Sequence, residues 1–497
     1  MEDAFLSCWQ TETPPEFETL PGDTRAGTVI VGGGLCGLLC AYRLRERGAE
    51  NVVILEADRV GSGTTGRSTG KITAQHGLIY RRLLAGLGEE LAQQYAAANR
   101  EAAAEFRAVA EREKIDCGMR GCDAYVYSRD ADARYRMEAE AEAARKLHFA
   151  ADVTERCALP FTIASAVRFG GQACFHPLRF VYRLAEILRE RGVRIYEHTP
   201  AEAVEGTAVL TRRGRVTGEN VVLCTRYPLE NLRGLYFARL VQNRSCFVAL
   251  RGAACLKDLY FCCDGDGCSF RGAEAGGESL LLFGDTARKT GHELGADHYA
   301  ELEREARRLY PGSSAAFRWS AQDCVTNDGI PLAGRYTQMG KHVFVASGFC
   351  KWGMTGSMAA ARVISDLIVD GRSDYEEVFS PDRKNYGMRA ARFFAEAGDT
   401  AVHFIGGYFA APSKDVSDLK NAEGGLVGYR GGKIGAFRDG EGELHCVSPV
   451  CTHLKCPLKW NGEEHTWECP CHGSRFDADG DVLDGPAVRR LDPAGPE

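Results

Sequence analysis

No stretch of eighteen apolar residues occurs in this 497-residue chain, which excludes a helix that spans a bilayer. Dense blocks of Lys and Arg are missing too. The 61 basic residues are dispersed among 68 acidic ones and leave a net charge of -7, which argues against a nucleic-acid partner and against membrane insertion. The N-terminal stretch MEDAFLSCWQTETPPEF has no basic segment followed by an apolar one, so the expectation is a cytoplasmic protein. Repeats and low-complexity tracts are absent as well. With 44% hydrophobic residues, the chain has the means to bury large cores, and its length suggests two or three domains.

Cysteine, by contrast, is abundant. Most of the 20 cysteines are scattered, as in LCGLLCAYRL and DLYFCCDGDGCSF, and in a reducing cytosol such residues serve as small buried hydrophobes.

TVIVGGGLCGLLCAYRLRERG reads as a short β-branched strand, a glycine turn and a helix that stops near Gly48. Gly32, Gly34 and Gly37 satisfy G-x-G-x-x-G, with Gly33 between them. The pattern lets backbone amides at a helix N-terminus approach a pyrophosphate. A second strand, NVVILEAD, ends at Glu56, where a carboxylate can accept hydrogen bonds from a ribose. The glycine- and hydroxyl-rich loop GSGTTGRSTGKITAQHG, residues 61–77, follows directly and suits an extended dinucleotide.

These segments resemble the D-amino-acid-oxidase/glycine-oxidase superfamily of flavoproteins. TNDGIPLAG and HVFVASGFCKWGMTGSMAAARVISDLI look like its C-terminal FAD element, with a strand that ends at Gly348 and a helix that begins near Thr355. The resemblance implies an α/β FAD-binding domain with a Rossmann-type βαβ unit and an antiparallel-sheet substrate domain. It also implies FAD contacts at Gly32, Gly33, Gly34, Gly37, Glu56, Thr64, Thr65, Ser68, Gly70, Lys71, Gly348, Gly353, Met354 and Thr355. The FAD-binding segments are expected at about 25–80, 160–230 and 315–375, and the substrate domain at about 231–315, all within residues 1–380.

Near the other end, CTHLKCPLKWNGEEHTWECPCHGSRF offers Cys451-x-His453 and, fifteen residues later, Cys469-x2-His472. Zinc modules usually pair like ligands locally, whereas here each loop supplies one thiolate and one imidazole. A Rieske 2Fe-2S centre uses that mixture, two cysteines on one iron and two histidines on the other. A structural zinc site is the alternative reading. The stretch closely resembles the Rieske family, which implies that Cys451 and Cys469 hold one iron and His453 and His472 the other. The family also implies a disulfide between Cys456 and Cys471, and GPAV at 485–488 resembles its proline loop. Phe476 replaces a tyrosine that raises the potential in some members, Ser474 retains the other tuning hydroxyl, and Lys455 replaces a common glycine. These signs oppose, within a Rieske range of roughly -150 to +300 mV.

The all-β Rieske domain is expected over 413–497 and a linker helix over 381–412. The linker's aromatic run, FF...HF..GYF, reads as domain packing. His465 reads as a surface histidine.

A flavin accepts two electrons as a hydride and a Rieske cluster passes them singly, so one chain with both converts between the two modes. The whole chain resembles bacterial FAD-dependent oxidoreductases with a C-terminal Rieske domain, a resemblance that does not fix the substrate; the favoured reading is a dehydrogenase that takes hydride from an amine or related small molecule and delivers electrons to an external carrier such as ferredoxin or flavodoxin. Two other readings stand beside it: a reductase fed through the cluster by a ferredoxin-like donor, and a redox sensor without turnover. Amino-acid-oxidising relatives carry R-P-x-T-x-D-x-x-P-x-x-G, whose arginine grips the substrate carboxylate. Here DCVTNDGIPLAG places Asp323 at the arginine position, which suggests a cationic substrate, or else a structural hydrogen bond. His76 and Lys71 are the other catalytic candidates. Gln75, Gln172 and His176 are further pocket candidates, and Cys324 and Cys350 sit near the flavin segments.

Overall fold

The structure, a computed structural model, describes residues 5–495 except 266, 286, 293–297, 385 and 413. The aliphatic run TVIV forms β1 (Thr28–Val31), all four residues buried. Twelve residues of small and aliphatic side chains follow as α1 (Leu35–Glu46), and VVIL forms the equally buried β2 (Val52–Leu55). Strands covered on both faces need no polar alternation, which is why these read as continuous apolar runs. A six-stranded sheet results, in the order Leu332–Arg335, Val343–Ser347, Asn220–Leu223, β1, β2, Arg194–Tyr196. It is parallel except at the Leu332–Arg335 edge.

The second layer is a ten-stranded sheet. It draws strands not only from 240–326 but also from Lys71–Ile72, Arg120–Ser128, Ala151–Thr154 and Ser165–Cys174. The expected substrate region is therefore only part of it, because the chain crosses between the two layers more than once. Its longest pair is β3 (Leu240–Arg251) against β4 (Ser314–Thr326), antiparallel, with Asn243 opposite Asp323 and Arg244 opposite Gln322. Side chains alternate across a strand, so Gln242, Arg244, Ser320, Gln322 and Cys324 share one face and Asp323 points to the other. Two Ala/Glu/Arg-rich stretches form the helices Glu89–Arg112 and Arg134–Lys146.

The helix Gly353–Val369 (α2) leads to the 24-residue helix Tyr386–Phe409 (α3). Only part of the aromatic run of α3 packs between domains: His403 meets His292 (4.4 Å) and the Tyr408 hydroxyl bonds to Lys455 O (2.7 Å). Phe394, Val402, Ile405 and Phe409 are 71%, 68%, 59% and 84% exposed, because the charged side of the helix is the one turned inward. Among the described residues, no helix is long and apolar enough to cross a membrane. Beyond α3 the chain folds into two small antiparallel sheets, three-stranded (Glu423–Tyr429, Gly432–Arg438, Leu444–Val447) and four-stranded (Lys459–Asn461, Thr466–Glu468, Arg475–Phe476, Val482–Asp484).

Candidate functional site

The turn between β1 and α1 is built so that only glycine fits. At Gly32, φ is +112° and a Cβ would lie 2.6 Å from the Cys224 carbonyl oxygen; at Gly37 it would lie 1.9 Å from the oxygen of Gly32. Glu56 Oε2 accepts from the Gly33 amide (2.6 Å), and Thr65 Oγ1 accepts from the Leu35 amide at the start of α1 (3.1 Å). Amides thus converge where a pyrophosphate would bind. Thr64 Oγ1 bonds to Gln322 O (3.2 Å), and Ser68 Oγ bonds to Thr65 O (2.9 Å). Gly70 (φ +59°) leaves no room for a side chain beside Arg271 and Phe175. Gly37→Ala is expected to yield protein that purifies without flavin colour, since the clash is with backbone; a normal flavin spectrum would contradict this.

At the far end of the same groove, Gly348, Cys350 and Lys351 all have positive φ (+67°, +54°, +75°) just before α2. Two non-glycine residues in the left-handed region mark a strained turn. Gly353, Met354 and Thr355 open α2. Lys351 keeps accessible surface, and desolvation lowers its pKa while Asp323 pulls it the other way. Asp323, on β4, is half-buried; burial pushes its pKa up to about 6, against the pull of Lys351 and Arg226. Lys71 lies 4.1 Å from the centre of the Phe261 ring, and burial, reinforced by Arg271 and Lys351, lowers its pKa to about 7. Phe261 packs edge-on against Trp352 (5.0 Å). Lys351, Trp352 and Phe261 had no signal in the sequence beyond, for Lys351 and Trp352, proximity to Gly348. A cleft of about 870 Å³ lined by Arg107, Cys122, Gln172 and Lys257 opens nearby; Cys122 and Cys174 act electrostatically on Lys71.

His76 is fully committed within the protein. Its Nδ1 pairs with the Tyr95 hydroxyl (2.6 Å) and its Nε2 with Thr73 O and Thr355 Oγ1 (both 3.0 Å). It stacks on Trp352 (5.0 Å), and burial lowers its pKa to about 3, so it is neutral. Gln172 Oε1 accepts from the Ala74 amide (2.8 Å), and Gln75 Nε2 donates to Val167 O (2.8 Å). His176 caps the helix Pro177–Glu190 by accepting from the Arg179 amide. Cys324 adjoins Ser347, and Cys350 contacts Gly348 O.

In the C-terminal domain, two similar turns face each other. Cys451 O accepts from Lys455 N (3.1 Å) and Cys469 O from Gly473 N (2.9 Å). Cys451 and Cys469 are fully buried, and the His453 and His472 rings stand 5.1 Å apart at 89°. Both Nδ1 atoms are buried without a hydrogen-bond partner, and burial keeps both rings neutral. Two thiols and two unpaired, neutral imidazole nitrogens fit a 2Fe-2S centre. Lys455 has φ +60°, which explains why glycine is common there. Ser474 Oγ accepts from Ala487 N (3.0 Å), tying the proline loop to the site. His465 stacks on Trp460.

The expected Cys456–Cys471 disulfide is not present. Both are free thiols. Their sulfurs lie with that of Cys469 in one group within 4.8 Å, and backbone hydrogen bonds close the loops instead, Cys451 N to Cys456 O and Cys469 N to Ser474 O (both 2.8 Å).

The histidine edge of this site is turned toward the flavin-type domain. His453 Nε2 lies 2.8 Å from Asn231 Oδ1, and His472 meets Phe237 edge-on (5.9 Å). Gln242 Nε2 donates to His472 O (2.8 Å) and Gln322 Nε2 to Gly473 O (2.8 Å). Arg244 is buried between Glu464 and Glu468. Arg475 extends the network to Glu464 (2.7 Å) and Asp484 (2.9 Å), and Arg226 also binds Asp484 (2.6 Å). The β3–β4 ribbon therefore carries the cluster loops on one face and Asp323 on the other. Tyr227, buried, lies close enough to both Cys324 and Cys469 for each thiol to act on it electrostatically.

Residues 28–367 match the family model described as FAD dependent oxidoreductase. The chain belongs to the FAD-dependent oxidoreductases. Residues 408–494 of this oxidoreductase match the Rieske [2Fe-2S] domain model. The enzyme is 36% identical over 99% of its length to the Rieske 2Fe-2S iron-sulfur protein YhfW of Bacillus subtilis, of which it covers 97%. It is 23% identical over 71% of its length to the gamma-glutamylputrescine oxidoreductase of Escherichia coli, covering 85% of that protein. Glycine oxidase from Geobacillus kaustophilus shares the fold, with a TM-score of 0.60 at 19% identity over 73% of this chain and 99% of that one. The enzyme thus binds FAD in its first domain and a 2Fe-2S cluster in its Rieske domain.

Proposed function

We propose that this oxidoreductase is a dehydrogenase that oxidises an amine or a related small molecule and passes single electrons through the Rieske cluster to an external carrier such as ferredoxin or flavodoxin. The observation that carries this reading is the β3–β4 ribbon, one β-layer that has Asp323 on one side and the cluster loops on the other. Bound FAD supplies the hydride acceptor and the cluster the one-electron relay.

The residues of this chain then have defined tasks. Gly32, Gly33, Gly34, Gly37 and Glu56 hold the dinucleotide, Thr64, Thr65, Ser68 and Gly70 shape the loop beside it, and Gly348, Gly353, Met354 and Thr355 present the N-terminus of α2. His76 is a positioning residue that ties Thr355 to Tyr95. The Asp323 carboxylate forms no hydrogen bond within the protein among the described residues and is free to hold a substrate ammonium. Lys71, with its pKa near 7, can receive the proton the amine must lose before its C–H bond breaks. The E. coli relative is named for a diamine conjugate, which agrees with a cationic substrate.

Because Asp323 titrates at about 6, kcat/KM for a cationic amine is expected to rise with pH through that value. Asp323→Asn is expected to remove this limb and lower kcat/KM about 10- to 100-fold, the worth of a charge-assisted hydrogen bond. An unchanged profile would refute the role.

The reading itself is tested by adding amines, amino acids and hydroxy acids anaerobically to the oxidised holoenzyme, with flavin absorbance and cluster EPR followed on the same samples. An amine that bleaches the flavin and brings up the Rieske signal is the expected result. Reduction by dithionite alone would overturn it.

A further inference from the structure

The most unusual surface of the molecule is α3, which is amphipathic the wrong way round. At 3.6 residues per turn, Arg392, Glu396, Asp399 and His403 fall within a sector of about 60°, and this sector faces the protein. Lys289 binds Glu396 (2.9 Å) and Asp399, and His292 and His403 flank Asp399. Every exposed residue from Phe393 to Ala410 is apolar or glycine. The helix is anchored at its end by Lys433, whose Nζ donates to Tyr408 O (2.8 Å) and Ala410 O (3.2 Å), and by Tyr408, whose hydroxyl donates to Lys455 O (2.7 Å). It is held in place, yet its apolar side is bare.

We propose that this face is the interface with a second copy of the chain, formed by antiparallel pairing of the two α3 helices about a two-fold axis between Ala401 and Val402. In that register Ile405 faces Gly398 and Val402 faces Ala401 near the axis, and Phe394 meets Phe409 at each end of the pair. A Cβ at Gly398 or Gly406 would meet nothing within 4 Å, so the hollow that Ile405 of the partner would fill is open.

Area and charge both favour a second copy. Aromatic residues bury about 150–250 Å² each, so the exposed parts of the five rings, with Val402 and Ile405, present on the order of 700 Å². A standard interface takes roughly 800 Å² per partner, and monomers seldom bare so large a patch. A bilayer-binding helix carries Lys and Arg on its polar side for lipid head groups; here the charged residues of the inward sector are spent on the protein's own ion pairs. The face has no charge of either sign to match a charged partner, and an uncharged, small-against-large face complements itself.

The test is the mass of the full-length holoenzyme in solution without lipid, by sedimentation velocity and light scattering. The wild type is expected at twice the 54.2 kDa chain mass. Ile405→Glu and Gly398→Leu are each expected to give the single-chain mass with flavin and cluster spectra intact, and Gly398→Leu/Ile405→Ala to restore pairing. A wild type at single-chain mass would overturn the proposal, and its co-sedimentation with phosphatidylcholine/phosphatidylglycerol vesicles would assign the face to a bilayer instead. A dimer indifferent to both single substitutions would also overturn it, since the contact would lie elsewhere.

Discussion

Arg244→Ala is expected to release the Rieske domain from the flavin domain at a cost of about 3–5 kcal/mol. The guanidinium lies on β3 between two buried carboxylates, Glu464 and Glu468, and also reaches Ser320 (2.9 Å). Alanine leaves those buried carboxylates to share the Arg475 guanidinium, beside neutral donors such as the Tyr299 hydroxyl and the Asn461 amide. An intact buried pair contributes little net stability, but a broken one leaves an uncompensated charge, so the loss is large. Two readouts are expected to move together: limited proteolysis between the domains speeds up, and cluster reduction by the substrate-reduced flavin slows. If the variant resists proteolysis like the wild type, the network does not hold the domains together. The pH dependence has a defined sign. Arg226, Arg475 and Arg67 hold the carboxyl of Asp484 well below its usual range against burial, and Arg244 and Arg475 do the same for Glu468. A group with a depressed folded pKa stabilises fully above its unfolded value, about 3.9 for Asp and 4.3 for Glu. That contribution is lost as pH falls through the depressed values, so docking holds at neutral pH and fails only in acid.

Cys469→Ala is expected to abolish the cluster while leaving flavin reduction intact. The thiol is fully buried and sits beside Cys451, Cys456 and Cys471, and alanine preserves the backbone bonds that shape the loop, Cys469 N to Ser474 O and Gly473 N to Cys469 O. Iron content and the Rieske EPR signal should vanish. Substrate should still bleach the flavin at the wild-type rate, because Asp323, Lys71 and Lys351 lie across the β-layer. Reduction of an external carrier should fall to background. A carrier reduced at the normal rate without the cluster would remove the cluster from the electron path.

Both cofactor sites were legible in the sequence because their chemistry is local. Gly32, Gly34, Gly37 and Glu56 lie within one βαβ unit, and each cluster loop supplies its thiolate and imidazole over at most four residues. The surroundings of Lys71 were not legible in this way: Phe261, 190 residues on, covers it, and Trp352 packs edge-on against Phe261. Asn231, which meets His453 across 222 residues, gave no signal at all. The Cys456–Cys471 pairing, which the family resemblance alone implied, did not hold: both thiols are free, and each loop is closed on itself by its own backbone hydrogen bond.

The sequence by itself determined that this chain carries a dinucleotide cradle and a mixed thiolate–imidazole site. Only the tertiary structure placed Gln322 and Asp323 on one strand, facing opposite ways, and decided what each meets. Gln322 bonds to Gly473, 151 residues on, and Asp323 lies within electrostatic reach of Lys351. The same holds for α3: its pattern dictates an amphipathic helix, but which side lies inward depended on distant partners. Lys289 fixes the charged side, since an ammonium in ion-pairing contact with Glu396 and Asp399 holds that sector against the protein and leaves the aromatic one outside.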